Sequence, residues 1–170
     1  MIILGIGSNL ASKFGDRIKN IDLSIQYLKK NNINIIKKSS YYETPSYPDA
    51  KKPKFINIAI SVENNVTAEK LASIIINIEK LLERERLNKN DPRTCDIDII
   101  DFNNEILNFN YSGLDFNVPH KDLYKRNFVL YPLLEIAPNW IHPVTKIDIT
   151  ALIDKLSDEQ KKSILKIKKN

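Results

Sequence analysis

Residues 92–102 read PRTCDIDIIDF and carry the side chains best suited to chemistry in this chain. Asp96 and Asp98 stand two apart among β-branched Ile97, Ile99 and Ile100. That composition favours a strand, whose period of two points both carboxylates to one face. Paired carboxylates beside isoleucines are costly to bury unless a cation or a basic group compensates them. Two oxygens on a rigid face suit Mg²⁺, which takes one or two carboxylates and leaves its other positions to water and phosphate. Arg93 stands just upstream, where a planar guanidinium can grip the same phosphate. The competing reading is an edge strand with a solvated aspartate face, and a bare Asp-x-Asp does not separate the two.

The arginines are a second signal. The chain has 21 lysines and only five arginines: Arg17, Arg84, Arg86, Arg93 and Arg126. A sequence that otherwise chooses lysine but keeps four arginines between residues 84 and 126 needs forked, always-charged donors there. Phe55 and Asn57 are a third, since they alternate onto one face of residues 55–62. An aromatic beside an amide can hold a flat heterocycle, or it can belong to a half-exposed sheet face.

The elements that must position these groups follow from periodicity. Residues 1–6 are a short apolar run, a buried first strand, after which Gly7, Ser8 and Asn9 are expected to turn the chain. Gly-Ser-Asn lacks the second Gly and the Lys-Ser/Thr pair of a Walker phosphate loop. Ile18, Ile21, Ile25 and Leu28 recur at helical spacing, so residues 16–28 form an amphipathic helix ended by Asn31 and Asn32. Residues 33–43, rich in Ile and Tyr, are a second strand. Residues 44–54, with Pro45, Pro48 and Pro53, are a long surface loop. Residues 55–62 are a third strand, with Ile56, Ile58, Ile60 and Val62 turned to the core.

Thr67 can cap a helix in which Leu71, Ile74, Ile75, Ile78, Leu81 and Leu82 keep helical spacing to about residue 83, with Glu79 near its far end. The charged run 83–91, ERERLNKND, is expected to be an exposed, mobile loop leading into the aspartate strand. The order is β-α-β-β-α-β: class α+β, a ferredoxin-like split βαβ core with an antiparallel sheet and two helices on one side. Beyond it, Asn103 and Asn104 mark a turn and residues 105–109 a hairpin partner. Residues 128–137 read as a buried helix interrupted by Pro132, and Leu152, Ile153 and Leu156 as a final short helix.

A chain of 170 residues suits one core, so a single domain over residues 1–170 is expected, with 158–170 as a solvated basic tail. The net charge of +5 lies largely in that tail and in scattered lysines, which favours a solvated surface over nucleic-acid binding. The single Cys95 excludes a disulfide framework and agrees with a reducing cytoplasm. No run approaches the ~18 apolar residues of a membrane span, and neither membrane insertion nor a secretory leader is expected.

Six segments carry a family resemblance: IGSNL (6–10), YYETP (41–45), FIN (55–57), PRTCDIDI (92–99), VPH (118–120) and RNFVLYPLLEIAP (126–138). In this order they resemble the 6-hydroxymethyl-7,8-dihydropterin pyrophosphokinases of folate biosynthesis, over residues 1 to about 140. The resemblance implies transfer of the two terminal phosphates of ATP to the primary alcohol of the pterin, releasing AMP. It implies that Asp96 and Asp98 hold two Mg²⁺ ions, one bridging the α- and β-phosphates, the other the β- and γ-phosphates with the attacking hydroxyl. Arg84 and Arg93 match the arginines that act during transfer. His120 and Arg126 match groups that grip the nucleotide's phosphates, and Glu79 and Ile99 match ATP contacts. Thr44, Pro45, Phe55, Asn57 and Phe128 match the pterin pocket, with the two phenylalanines facing across the ring. The implied partners are small molecules only, met by a cytoplasmic monomer.

The chain departs from the family pattern in places. Glu83 stands where the family usually has Gly before the first catalytic arginine, and Asp91 where a Gly commonly precedes Pro-Arg. The loop lacks the Trp of several members and is a residue short, and Ile76 stands where some members have a nucleotide-contacting Gln. The added acids Glu83, Glu85 and Asp91 are expected to weaken ATP binding or slow loop closure, with lysines such as Lys89 as the offset. Two other functions compete. A two-metal nucleotidyltransferase places Gly-Ser and Asp-x-Asp within one strand-turn unit, whereas Ser8 and Asp96 are 88 residues apart. A split-βαβ RNA-binding module would need a basic-Gly-aromatic strand that is missing here.

Overall fold

The computed structural model describes residues 1–88 and 90–167. The core is β1 (Ile2–Ser8), α1 (Arg17–Lys30), β2 (Asn34–Lys38), β3 (Tyr41–Thr44), β4 (Phe55–Glu63), α2 (Ala68–Leu81) and β5 (Asp96–Phe102). Its antiparallel sheet runs in the order β5-β1-β4-β3, with β2 also paired to β4. This is the ferredoxin-like α+β arrangement. Each helix is capped by the residue its sequence supplies: the Asp16 carboxylate accepts the Lys19 amide at 2.8 Å, and Thr67 Oγ1 the Lys70 amide at 3.2 Å. Both helices bury their isoleucine and leucine stripes against Ile6, Ile56, Ile58 and Ile60 of the sheet. Each such side chain is worth roughly 1.5–3 kcal/mol of burial.

Several expectations are corrected. The chain does not turn at Gly7 and Ser8, which continue β1 opposite Asn57 and Ile56. The stretch 33–43 is two strands rather than one, because Ser39 leaves the ladder and bonds Ala59 through both its backbone amide and its hydroxyl. Residues 105–109 do not pair with the aspartate strand. Instead β6 (Leu107–Tyr111) pairs with β7 (Leu114–Val118) as a separate ribbon. Asn103 and Asn104 both take positive φ and turn the chain away from β5, and Ser112 and Gly113, at φ 53° and 77°, close the tight hairpin.

Helices cover both faces of the sheet. Ile3, Ala59 and Ile100 form a second core with α3 (Asn127–Ile136) and α4 (Ile149–Asp154). An irregularity in β5 makes this possible: Leu4 pairs with Ile99 and Ile3 with Asp101, so Ile100 is the extra residue. The tail is not solvated helix end alone. Ser157 and Gln160 form a capping box that starts α5 (Asp158–Lys162), and β8 (Leu165–Ile167) pairs with the open edge of β3. Residues 168–170 of that tail lie outside the described residues. Among the described residues, no helix is long and apolar enough to cross a membrane.

Candidate functional site

β5 turns Asp96 and Asp98 to one side, and the β1 residues beside them in the ladder are Gly7 and Gly5. Asp96 is held by two guanidinium groups: Arg84 Nη1 lies 2.7 Å from Oδ1 and Arg93 Nε 3.0 Å from Oδ2. Burial would raise the Asp96 pKa, but Arg84 and Arg93 outweigh it and keep the carboxyl below its ordinary range. Among the described residues, the ion-pair partner of Asp98 is Arg126, at 3.8 Å. Burial first, then the charge of Asp96, push Asp98 up to about 6. With 42% of its side chain exposed, water screens part of that shift. The oxygen donors are hard, and among the described residues no cluster of three or more His, Cys, Asp or Glu forms a protein cage. That donor set fits Mg²⁺, which keeps waters and phosphate oxygens as its remaining ligands.

Arg84 arrives at Asp96 through the way α2 ends. Glu83 takes φ 65°, its amide bonds Lys80 O, and the Arg84 amide bonds Glu79 O at 2.9 Å. This is a Schellman closure, and its left-handed residue is normally Gly. Glu83 therefore occupies a left-handed position that favours Gly, and its side chain reaches Lys13, 3.1 Å away. The same closure folds Arg84 back over Glu79, whose Oε1 accepts Arg84 Nη1 at 2.5 Å and the Ile97 amide at 2.8 Å, while Oε2 accepts from Arg86. Solvated charge is thus the wrong description of Arg84, whose side chain is 9% exposed, although Glu85, Leu87 and Asn88 are exposed. The acids are offset by Lys13 on Glu83 and Lys52 on Asp91, at 3.9 Å. Lys89 lies outside the described residues.

Glu79, Arg84, Asp96, Asp98, Ile99 and His120 line one cleft of about 180 Å³, with Ile76 and β7 as its far wall. His120 Nδ1 accepts the Asp122 amide, so the neutral ring carries its proton on Nε2, 3.4 Å from Arg126 Nη2. Burial and Arg126 lower the His120 pKa, which favours that neutral ring. Two donors side by side are satisfied by one shared anionic oxygen. Arg126, the partner of Asp98 and His120, itself lines a second cavity, of about 500 Å³, together with Thr44, Pro45 and Phe128.

Phe55 and Asn57 do not line either cavity but stand beside Thr44, whose Oγ1 accepts Asn57 Nδ2 at 3.2 Å. Phe55 and Phe128 each have a guanidinium over the ring, from Arg93 at 5.3 Å and Arg126 at 5.7 Å. Gly7 is a residue that sequence reasoning passed over. A Cβ there would lie 2.7 Å from Asn57 Oδ1 and 3.5 Å from Phe55 Cδ1. Gly7→Ala is expected to displace the Asn57 amide and raise the Kd for a ligand bound by Phe55 and Asn57 about tenfold, which calorimetry checks. Asn9 was also missed. Its Oδ1 accepts the Arg93 amide at 2.7 Å and its Nδ2 donates to Pro53 O, so it anchors Arg93 to the loop before β4. An Asn directly after a buried strand, in a segment already noted, was the available signal.

Residues 3–138 match the family described as 7,8-dihydro-6-hydroxymethylpterin-pyrophosphokinase. The 2-amino-4-hydroxy-6-hydroxymethyldihydropteridine pyrophosphokinase of Aquifex aeolicus is 35% identical over 143 residues, 84% of each chain. The folic acid synthesis protein fol1 of Pneumocystis carinii is 32% identical over 96% of this chain, which spans only 21% of that protein. Wild-type HPPK-DHPS of Plasmodium falciparum shares the fold, with a TM-score of 0.69 at 16% identity, over 91% of this chain and 44% of that one. Matched over most of its length, and similar over 84% of it to a pyrophosphokinase of comparable size, this chain belongs to the 7,8-dihydro-6-hydroxymethylpterin-pyrophosphokinase family.

Proposed function

We propose that this protein transfers pyrophosphate from ATP to the hydroxymethyl group of 6-hydroxymethyl-7,8-dihydropterin, giving the pterin diphosphate and AMP for folate biosynthesis. The observation that carries the reading is the Asp96–Asp98 pair, flanked by Arg84, Arg93 and Arg126, with Asp98 on the cleft of Glu79 and His120 and its partner Arg126 on the cavity of Thr44, Pro45 and Phe128. The alcohol oxygen bonds to the β-phosphorus as the bond from that phosphorus to the α-phosphate oxygen breaks; AMP leaves and the alcohol's proton passes to solvent. Positioning and charge neutralisation dominate such a transfer.

Asp96 and Asp98 would hold the two Mg²⁺ ions, which when bound offset the triphosphate's charge. Glu79 and Ile99 border the nucleotide, and His120 and Arg126 grip its phosphates. Arg84 and Arg93 turn from Asp96 to the transferring group. Arg84→Ala is therefore expected to lower kcat more than it weakens ATP binding, a split read from kcat against the calorimetric Kd. Thr44, Pro45 and Asn57 take the edge of the pterin, and Phe55 and Phe128 its faces in place of their guanidinium partners. Phe55→Ala and Phe128→Ala are each expected to weaken pterin binding by about 0.5–1.5 kcal/mol beyond lost burial, with ATP affinity nearly unchanged.

Residues 1–170 act in this reading as one domain, a cytoplasmic monomer that meets small molecules alone. The buried free thiol of Cys95 supports a reducing compartment. The deciding assay follows AMP release from Mg²⁺-ATP with and without the pterin alcohol. Pterin-dependent AMP is expected; pyrophosphate release, or no turnover, would overturn the proposal.

A further inference from the structure

We infer that residues 157–167, beyond the stretch that matches the family, complete the pterin pocket, and that Asn127 and Gln160 are the positioning residues that hold them there. This rests on the proposed pterin role of Thr44, Pro45 and Phe128. The cavity those three residues line has three walls. Residues 44–50 supply one and residues 122–128 the second. The third is Glu159 and Gln160 of α5 with Ser163 just after it. A flat ring stacked on Phe128 meets the cavity walls at its edges, so a wall there decides which ring substituents fit.

The wall is pinned at both ends. Asn127 Nδ2 donates to Gln160 O at 2.6 Å and to Ser163 Oγ at 3.1 Å. Gln160 Nε2 donates to Lys125 O at 2.7 Å. Asn127 is buried and directly precedes Phe128, so α5 is tied to the backbone that carries the ring, while Arg126 keeps its own partners Asp98 and His120. At the far end, Leu165 pairs with Glu43 and Ile167 with Tyr41 on β3, the strand that ends at Thr44. The segment thus runs from the Phe128 side of the cavity to the Thr44 side. A five-residue helix cannot hold itself in water, so the wall stands only while these contacts hold it. A solvated tail would need neither the buried Asn127 donors nor a strand added to β3.

Steady-state kinetics, calorimetry and hydrogen exchange on full-length Asn127→Ala and Gln160→Ala test the inference. Asn127→Asp, which keeps the size but loses the donors, is the third variant. Each should raise the KM and Kd for 6-hydroxymethyl-7,8-dihydropterin about tenfold and lower kcat less than about threefold. Mg²⁺-ATP affinity should stay within about twofold, and amides 157–167 should exchange faster. Unchanged pterin affinity in variants whose 157–167 amides exchange faster would overturn the inference. So would unchanged exchange, or equal losses for both ligands alongside a fallen Tm. Phe128→Ala separates the two levels. If it weakens pterin binding while the Asn127 and Gln160 variants do not, the pocket stands and the inference fails. If it does not, the pocket assignment fails and the inference falls with it.

Discussion

Asp98→Asn is expected to remove nearly all turnover, on the order of 10³-fold, while the protein keeps its fold. Holding metal on a carboxylate contributes several kcal/mol of transition-state stabilisation, and each 1.36 kcal/mol is tenfold in rate. Asp98 is the cleaner of the two aspartates to test. Its ion-pair partner among the described residues is Arg126 at 3.8 Å, and its side chain is 42% exposed, so the fold depends on it little. Asp96→Asn should cost as much activity, but it also takes the charge from Arg84 and Arg93 and should lower stability as well. Mn²⁺ binding followed by electron paramagnetic resonance, in the presence of a non-hydrolysable ATP analogue, checks the cause independently of turnover. Both variants should lose bound ion. Near-normal turnover or undiminished Mn²⁺ binding in Asp98→Asn would remove the metal assignment.

Glu79→Ala is expected to cost about 3–5 kcal/mol of stability, the usual consequence of removing one partner from a buried charge cluster. Glu79 is 2% exposed and accepts from Arg84, Arg86 and the Ile97 amide. Without it, the amide loses its acceptor, Arg84 keeps only Asp96, and a cavity opens. Denaturant unfolding at pH 8 without nucleotide measures this, and a loss below about 1 kcal/mol would show that the cluster is not closed from water. The pH dependence has a definite sign. Burial pushes the Glu79 pKa up to about 7 from its ordinary 4.5, against the opposing pull of Arg84. The stability linked to this raised pKa is fully present below about pH 4.5 and is lost as pH rises through about 7. Glu79→Gln, which cannot titrate, should flatten that part of the stability curve.

Much of the core could be read from residue order, because its information is local. Period two in residues 55–62 and 92–102 and period near 3.6 in 16–28 and 67–83 identify strands and helices whose caps, Asp16 and Thr67, lie next to them. The shared face of Asp96 and Asp98 follows from the pleat alone. Pairing between elements is a different kind of information. Residues 105–109 carry a strand pattern that suits either β5 or β7, and the choice falls to two positive-φ asparagines and a Ser-Gly turn. The tail 158–167 reads as basic helix end because its charges are local, whereas its place on β3 depends on an edge left open by the rest of the sheet.

The site divides along the same line. The concentration of arginines near the aspartates and the alternation of Phe55 and Asn57 are present in the one-dimensional order. Two things are not: the burial of Arg84 between Glu79 and Asp96, and the need for Gly7 beneath Asn57. Arg84 looks like solvated charge because its neighbours in sequence are charged. It is buried because a left-handed residue at the end of α2 folds it back onto a carboxylate one turn earlier, while β5 brings a second carboxylate from across the sheet. Sequence alone determined the two core helices, the strands 55–62 and 92–102, the Thr67 cap and the chemical types available. Tertiary structure alone decided which charges share one desolvated space, because electrostatic coupling depends on distance and dielectric, and neither is a property of the chain until it has packed.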